Sequence, residues 1–396
     1  MSEFTNNKEK RLEKLLEISK LILEETNPHK FILEHTDFIE AVIPADFINL
    51  FDTLIKEGYP IEKLKILSNK ILNIFQQPIE NFSKLKPKPD SFLAILEHNN
   101  QEMEQVLDNI RPVFKKFVKD SNNSSLKKEL LILFNRLELF IKQYTIKENI
   151  LFPIIEKHWD DYRCLQIMWS FHDDIRRNLK KVKEHLLNSN FNLSEFNKSV
   201  GVIFFNMLAI KFRDENILFP YILSTIPEAE LDQIKNDGIE IGFPYIQPQK
   251  TIRQNGQNEQ KNELINLATG ELSVEQIKLI FNHLPVDITY VDENDEVRYF
   301  STPTKRIFPR TTAIIGRKVN NCHPPESVHI VEKIIRSFKS GEKDKADFWI
   351  KMANDFILIQ YFAIRDSEKN YRGVIEVSQE ISEIKNLDGE KRLLDW

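Results

Sequence analysis

The chain has 396 residues, of which 41% are apolar and 29% charged, and a formal net charge of −5 at pH 7. That length exceeds one ordinary core and implies two or three domains. Charges of both signs are interspersed, which leaves no basic footprint for nucleic acid, and no apolar run approaches the roughly 18 residues that would span a membrane.

Ten glycines and the lack of a G-x-G-x-x-G or G-K-[ST] motif disfavour a nucleotide-binding sheet. Cys164 and Cys322 are the two cysteines, too far apart in sequence to suggest a disulfide framework, so a reducing cytoplasm is the expected compartment. The N-terminal stretch MSEFTNNKEKRLEKLL mixes charges and lacks the apolar core of a signal peptide.

Residues 1–82 read as a small helical domain. Leu12, Leu15, Leu16, Ile18, Leu21 and Ile22 recur at helical period, and two further helices are expected on either side of Gly58-Tyr59-Pro60. SKLKPKPDS is a linker, with Asp90 or Ser91 placed to cap the next helix.

Residues 91–227 read as four long helices, at about 91–118, 125–157, 161–188 and 194–224. DSNNSS, HWDD and NSNFNLS, rich in turn and capping residues, separate them. Short joints between long helices imply an antiparallel up-down four-helix bundle. Residues 228–270 are expected as a linker, most plainly at Gln247–Glu263, which lacks helical periodicity.

Residues 271–385 change period. An amphipathic helix, LSVEQIKLIFNHL, precedes two alternating strands in DITYVDENDEVRYF with Glu-Asn-Asp at the bend. PPESVHIVEKIIRSFKSG is a helix ended by Gly341, and DFWIKMANDFILIQYFAIRD and YRGVIEVSQEI supply three more strands. The pattern is an α+β domain with an antiparallel sheet; residues 386–396 form a tail.

The hexapeptide ENILFP occurs twice, at Glu148–Pro153 and Glu215–Pro220, 67 residues apart. Each copy falls near the end of an even-numbered helix, which suggests a duplicated helix hairpin. His98 and His172 lie early in the first and third helices. Inward carboxylates and imidazoles on facing helices build metal sites in bundles, and Glu148, Glu215, His98 and His172 could hold one iron, manganese or zinc ion. An equally self-consistent reading is a metal-free ion-pair network, with Lys211 between Glu148 and Glu215. Ile, Leu and Phe of the hexapeptide fill the core, and its Pro kinks or ends the helix. His158 and His185 read as surface residues.

The arrangement resembles the hemerythrin-like (HHE cation-binding) domain, whose pattern is His, His-x-x-x-Glu, His, His-x-x-x-Glu. Four residues before each Glu, where the family has His, this chain has Tyr144 and Lys211. The usual diiron ligand set is therefore not expected. Tyr144 could ligate as a phenolate or hydrogen-bond a carboxylate, and the Lys211 ammonium could replace a metal's charge.

A small helical domain, a hemerythrin-like bundle and a C-terminal PAS domain, in that order, resemble a prokaryotic regulatory family over nearly the whole chain. LPVDITYVDENDEVRYFS, RIFPRTTAIIGRKVNNCHPPESVHIVEKII and GEKRLLDW carry the most specific part of the likeness. The Cys and His such proteins often carry in the segment reading LSNKILNIF are missing here. The resemblance implies a sheet that cups a ligand and flanking helices that form a homodimer. Cys322, His323 and His329 around the Pro-Pro turn are either PAS ligand or haem candidates or ordinary core and turn residues.

With no catalytic residues assigned, the first expectation is a cytoplasmic sensory or regulatory protein that acts through an unidentified protein partner. The second is an iron protein that handles oxygen or NO, with redox activity. The third is a metal-free interaction scaffold.

Overall fold

The computed structural model describes residues 2–188, 192–248, 264–352 and 355–390. The chain divides into two compact units, residues 1–251 and residues 252–396.

The first unit opens with α1 (Ser2–Leu23), α2 (His29–Glu34), α3 (Thr36–Ala41), α4 (Pro44–Lys56) and α5 (Ile61–Asn81). Leu15, Ile18 and Ile22 of α1 are buried against α4 and α5, as the 3.6-residue spacing of its apolar positions requires. Pro44 starts α4, where its missing N–H costs nothing. Asp46 accepts from the Ile43 N–H at 3.0 Å and from Arg11 Nε at 2.7 Å, which ties α1 to the start of α4. Gly58 takes a φ of 86° at the α4–α5 turn, a left-handed conformation that glycine adopts without strain.

Four helical rods follow. They are α6 (Phe92–Lys119); α7 (Ser124–Glu138) continuing through α8 (Ile141–Ile146) to α9 (Phe152–His158); α10 (Leu165–Leu187); and α11 (Leu193–Arg213) continuing to α12 (Phe219–Thr225). Ser91, rather than Asp90, caps α6 by accepting from the Ala94 N–H at 3.3 Å. Asn123 and Asn192 cap α7 and α11 in the same way, each side-chain oxygen accepting from two backbone N–H groups. α6 packs on α7, α7 on α10, α10 on α11 and α11 on α6, so the rods close around one core.

That core does not stop at the linker. α5 packs on α10 and α4 on the second hexapeptide, and buried residues from Leu15 to Phe243 form a single apolar cluster. Residues 1–82 and 91–227 thus share one interior.

The expected linker also begins later than composition suggests. α13 (Glu228–Gln233) and α14 (Lys235–Ile241) bury Leu231 and Ile234, and beyond them Phe243 packs edge-on against Phe92. Gly238 makes room for that ring, since a Cβ there would lie 2.8 Å from it. Asn99, buried in α6, accepts from the N–H groups of Tyr245 and Ile246 at 2.9 and 3.1 Å and fixes the chain where it leaves the unit. Most of Gln247–Glu263 lies outside the described residues, as do the last six residues.

The second unit starts with an exposed two-stranded ribbon, β1 (Leu264–Asn266) and β2 (Glu271–Ser273). Ser273 and Gln276 form a reciprocal capping box at the start of α15 (Val274–His283). A five-stranded antiparallel sheet comprises β3 (Asp287–Asp292), β4 (Val297–Phe300), β5 (Lys345–Met352), β6 (Asp355–Arg365) and β7 (Tyr371–Glu380), in the order β4-β3-β7-β6-β5. α16 (Pro325–Lys339) enters between β4 and β5.

The β3–β4 bend is closed by Asp292, whose Oδ1 accepts from the Asn294 and Glu296 N–H groups at 2.9 and 3.0 Å. Gly373 is required where β7 passes β3, because a Cβ there would lie 2.2 Å from the Val291 carbonyl. The principal core of this unit is small: Val291, Val297, Ile314, Val319 and Val331. Among the described residues no helix is long and apolar enough to cross a membrane.

Candidate functional site

Both hexapeptides adopt the same unusual local structure. Lys147–Leu151 and Asp214–Leu218 are π-helical turns inside otherwise α-helical rods, one joining α8 to α9 and the other α11 to α12. Pro153 and Pro220 lack an N–H and crowd the carbonyl four residues back, which a π turn accommodates; Pro78 in α5 and Pro112 in α6 sit inside regular α-helix, so proline by itself does not dictate the turn. Asn149 Nδ2 donates to the Thr145 carbonyl at 2.9 Å, and Asn216 Nδ2 donates to the Phe212 carbonyl at 2.8 Å. The Asn of ENILFP thus supplies a side-chain donor to a carbonyl at the start of each bulge.

The residue preceding each hexapeptide sits deepest. Lys147 and Asp214 occupy equivalent positions in the two copies and meet in the core, with Nζ 2.6 and 2.7 Å from the two carboxylate oxygens. Their side chains are 0% and 1% exposed. Burial pushes the Lys147 ammonium down and the Asp214 carboxyl up, and in each case the partner opposes the shift.

The two glutamates diverge. Glu148 is buried; its Oε1 accepts from His172 Nδ1 at 2.8 Å, and Arg176 spans both carboxylate oxygens at 2.9 and 2.8 Å. Burial, with the Lys147 and Arg176 cations, holds His172 well below the usual imidazole range, so the ring is neutral. Tyr144 stacks on that ring, with centroids 4.1 Å apart. Burial, then the Asp214 charge, pushes the Tyr144 hydroxyl well up, so it stays protonated. Glu215 is half-buried, bonded by Lys211 at 2.9 Å and by Asn100 Nδ2 at 3.3 Å, and faces a cleft of about 400 Å³. Lys211 also lies 3.3 Å from Glu104.

His172 and Glu148 therefore come together, as do Lys211 and Glu215, but the expected four-ligand cluster does not. His98 is exposed. The polar residue that meets Glu215 from α6 is Asn100, two positions further along, which puts it on the inner face that His98 does not reach. Lys211 serves Glu215 and Glu104 and not Glu148. The Lys147–Asp214 pair, which the register of the candidate ligands passes over by one residue, holds the centre instead.

A resident metal does not fit these side chains. Glu148 is held by His172 and Arg176, and the nearby Lys147 and Arg176 cations oppose a divalent ion. Among the described residues, no three or more His, Cys, Asp or Glu side chains converge as a metal group. Near Glu148, the buried atoms without a hydrogen-bond partner include His172 Nε2, the Tyr144 hydroxyl and Gln143 Oε1, an imidazole nitrogen among neutral oxygens.

In the second unit, Asp287, Thr289 and Val291 of β3 share a sheet face with Val374, Glu376 and Ser378 of β7 and with Ile359 and Tyr361 of β6. Arg306, from the segment after β4, lies across this face. Its Nη2 donates to Thr289 Oγ1 at 3.2 Å and its Nε to the Phe308 carbonyl at 2.8 Å. Asp287 accepts from the Ile307 N–H at 2.8 Å, with Arg306 3.8 Å away. Asp287, Arg306, Ile357 and Glu380 line a cleft of about 450 Å³.

Of the residues around the Pro-Pro turn, Cys322 packs at the edge of the small core and donates to the Lys318 carbonyl at 3.6 Å. His323 is lowered to about 4 by burial and by the Arg310 and Arg317 cations. His329 lies exposed on α16.

Residues 277–382 match the PAS domain family model. This stretch is a PAS domain. Three solved structures are similar to the chain. A C-terminal domain from Streptococcus mutans is 34% identical, covering 32% of this chain and 98% of that one, with a TM-score of 0.31. The PAS domain of a protein from Colwellia psychrerythraea is 17% identical over 28% of this chain and 97% of that one, with a TM-score of 0.23. A sensory box sensor histidine kinase from Vibrio cholerae is 11% identical over 26% of this chain and 87% of that one, with a TM-score of 0.21. No curated protein matches the chain.

Proposed function

We propose that the chain is a sensory or regulatory protein whose PAS domain takes a small polar ligand in the Asp287–Arg306 cleft and pairs with a second copy. The observation that carries this reading is the cleft itself. Its volume suits a small ligand, and an acid and a guanidinium, with Glu380 beside them, line a domain whose principal core is only five residues. Burial pushes the Asp287 carboxyl up, with Arg306 and two backbone N–H groups opposing, which is the perturbed titration expected of a site. Pairing is supported by apolar side chains left in water: Trp349 on edge strand β5 is 65% exposed, and Leu279 and Ile280 on α15 are 48% and 47% exposed.

The helical unit is read as a hemerythrin-like bundle in which the Lys147–Asp214 and Glu148–Arg176 pairs stand where that family places metal. The output then passes to a protein partner.

Mass spectrometry of small molecules released from purified full-length protein tests the sensory reading. A bound compound present with wild type and lost in Arg306→Ala is expected. No released compound, together with unchanged melting across a panel of polar metabolites, would overturn it. Sedimentation of Trp349→Lys tests pairing: a dimeric wild type and a monomeric variant are expected, and a monomeric wild type removes the pairing.

A further inference from the structure

The cleft of the second unit presents hydrogen-bond acceptors that no side chain fills. Asp287 is 4% exposed, and its Oδ2 accepts from the Ile307 and Phe308 N–H groups at 2.8 and 3.3 Å. Its Oδ1 has no hydrogen-bond partner among the described residues, yet it is not sealed in the core, and Asp287 forms part of the cleft wall. Arg306 lies 3.8 Å from Oδ2, but it donates to Thr289 Oγ1 and to the Ser301 and Phe308 carbonyls. Burial pushes the Asp287 carboxyl up in spite of Arg306 and the two backbone N–H groups, so its lost hydration is only partly replaced.

The rest of the wall has the same bias. His283 Nδ1 lies 2.7 Å from the Leu279 carbonyl, which can only accept, so Nδ1 carries a proton and Nε2 of the neutral ring is an acceptor. His283 is also the last residue of α15, and the free carbonyls at a helix C-terminus favour a cation. Asp287, Asp355 and Glu380 against Lys305 and Arg306 leave one negative charge in excess among the described lining residues. Of the two cations, Arg306 is spent on protein oxygens, and Lys305 is 87% exposed and 3.9 Å from Asp355.

We infer that the cleft takes a small organic cation, a primary amine, with its ammonium on Asp287 Oδ1 and its hydrocarbon part against Ile357 and Met352. An ammonium brings three donors and no acceptor, which is what an unfilled carboxylate oxygen and an imidazole lone pair require. A carboxylate in the same place would meet Asp287 and Glu380 as like charges. At about 450 Å³ the cleft is within the range of small-molecule sites. The inference rests on the sensory reading and names the ligand class of its cleft.

Titration calorimetry on the full-length protein at neutral pH and low salt tests it, with butylamine, putrescine and agmatine as probes and butyrate and 1-butanol as controls. Saturable binding of at least one amine is expected, with butanol about 10- to 100-fold weaker and butyrate undetectable, the difference a charge-assisted hydrogen bond confers. This comparison uses wild type alone. Asp287→Asn keeps the side chain's shape and an oxygen for the backbone N–H groups, and should weaken the amine by a similar factor. Lys305→Glu reverses an exposed charge at the rim and should tighten the amine about 2- to 5-fold; an anionic ligand would shift the opposite way. Absence of saturable binding by all three amines in the millimolar range overturns the inference. So does binding of butyrate or butanol at equal strength, or an amine affinity that both variants leave unchanged. If a neutral or acidic compound is released from wild type while the amines fail to bind, the inference falls and the sensory reading stands. If nothing is released and no metabolite shifts the melting, both fall.

Discussion

The two copies of ENILFP share their backbone and differ in what surrounds them. In both, a π turn precedes a proline and an asparagine amide serves the carbonyl four residues back. In the first copy the glutamate is enclosed, bonded by His172 from α10 and clamped by Arg176. In the second it opens onto a cleft and leans on Lys211, four residues upstream on its own rod. Six identical residues therefore specify the local winding. The chemistry of each carboxylate is set by the neighbouring helices: His172 and Arg176 reach one copy, Asn100 the other. Where the copies face each other, the preceding residues have become opposite charges, Lys147 and Asp214, so the duplicated hairpins are locked by a pair that symmetry alone would have made two like residues.

The largest expected effect breaks that lock. Lys147→Met leaves the Asp214 carboxyl buried without its partner and should destabilise the helical unit by about 3–5 kcal/mol in urea unfolding followed at helical ellipticity. Lys147→Met combined with Asp214→Leu should recover most of that loss. If the single change costs no more than a surface substitution, the pair is not the centre of the unit.

Next is the contrast between the glutamates. Glu148→Gln removes charge-assisted bonds in a buried setting and should cost about 1.5–3 kcal/mol, whereas Glu215→Gln loses a partly exposed pair worth under about 1 kcal/mol. Equal losses would mean that the two glutamates are held alike.

The shared element should respond equally. Asn149→Ala and Asn216→Ala each remove one side-chain donor to a carbonyl at a bulge, and each should cost about 1 kcal/mol. A marked difference between them would show that the two π turns are maintained differently.

The smallest effect is a pH dependence confined to the second copy. Burial, then the Glu215 charge, raises Glu97 from 4.5 to about 7. A raised carboxyl stabilises the folded state fully below its unfolded value and loses that contribution as pH climbs through the folded one. Stability relative to Glu97→Gln should therefore fall between about pH 4.5 and pH 7, by about 1 kcal/mol or less once solvent screening at this half-exposed site is allowed for. A wild type and variant with parallel profiles across that window would refute the shift.

Much of the architecture is legible in the sequence because it follows from short-range pattern. Period-3.6 apolar runs mark the helices, Ser91 and Gly58 stand at a cap and a turn, and alternation around Glu-Asn-Asp marks the β3–β4 hairpin. Polar composition mistook residues 228–246 for linker, because their few apolar anchors, Leu231, Ile234 and Phe243, gain meaning only from the rods beneath them. The candidate ligands suffered a similar loss. His98 and Asn100 lie two residues apart on α6, and which of them faces inward depends on helix phase; in the second and fourth rods the π turns shift the phase around Glu148 and Glu215 as well.

From sequence alone come the helix-rich first unit, the antiparallel sheet of the second, and the fact that one motif was used twice. Those depend on residue periodicity, proline's missing donor and turn chemistry, all of which act within a few positions along the chain. Only the tertiary structure decides that Lys147 meets Asp214, that Glu148 is clamped while Glu215 opens to a cleft, and that Arg213 is buried against Ser68, Asn69 and Phe171. Each of these is a choice among partners distant in sequence. It is settled by which faces the packed helices present and by the cost of burying a charge without an opposite one.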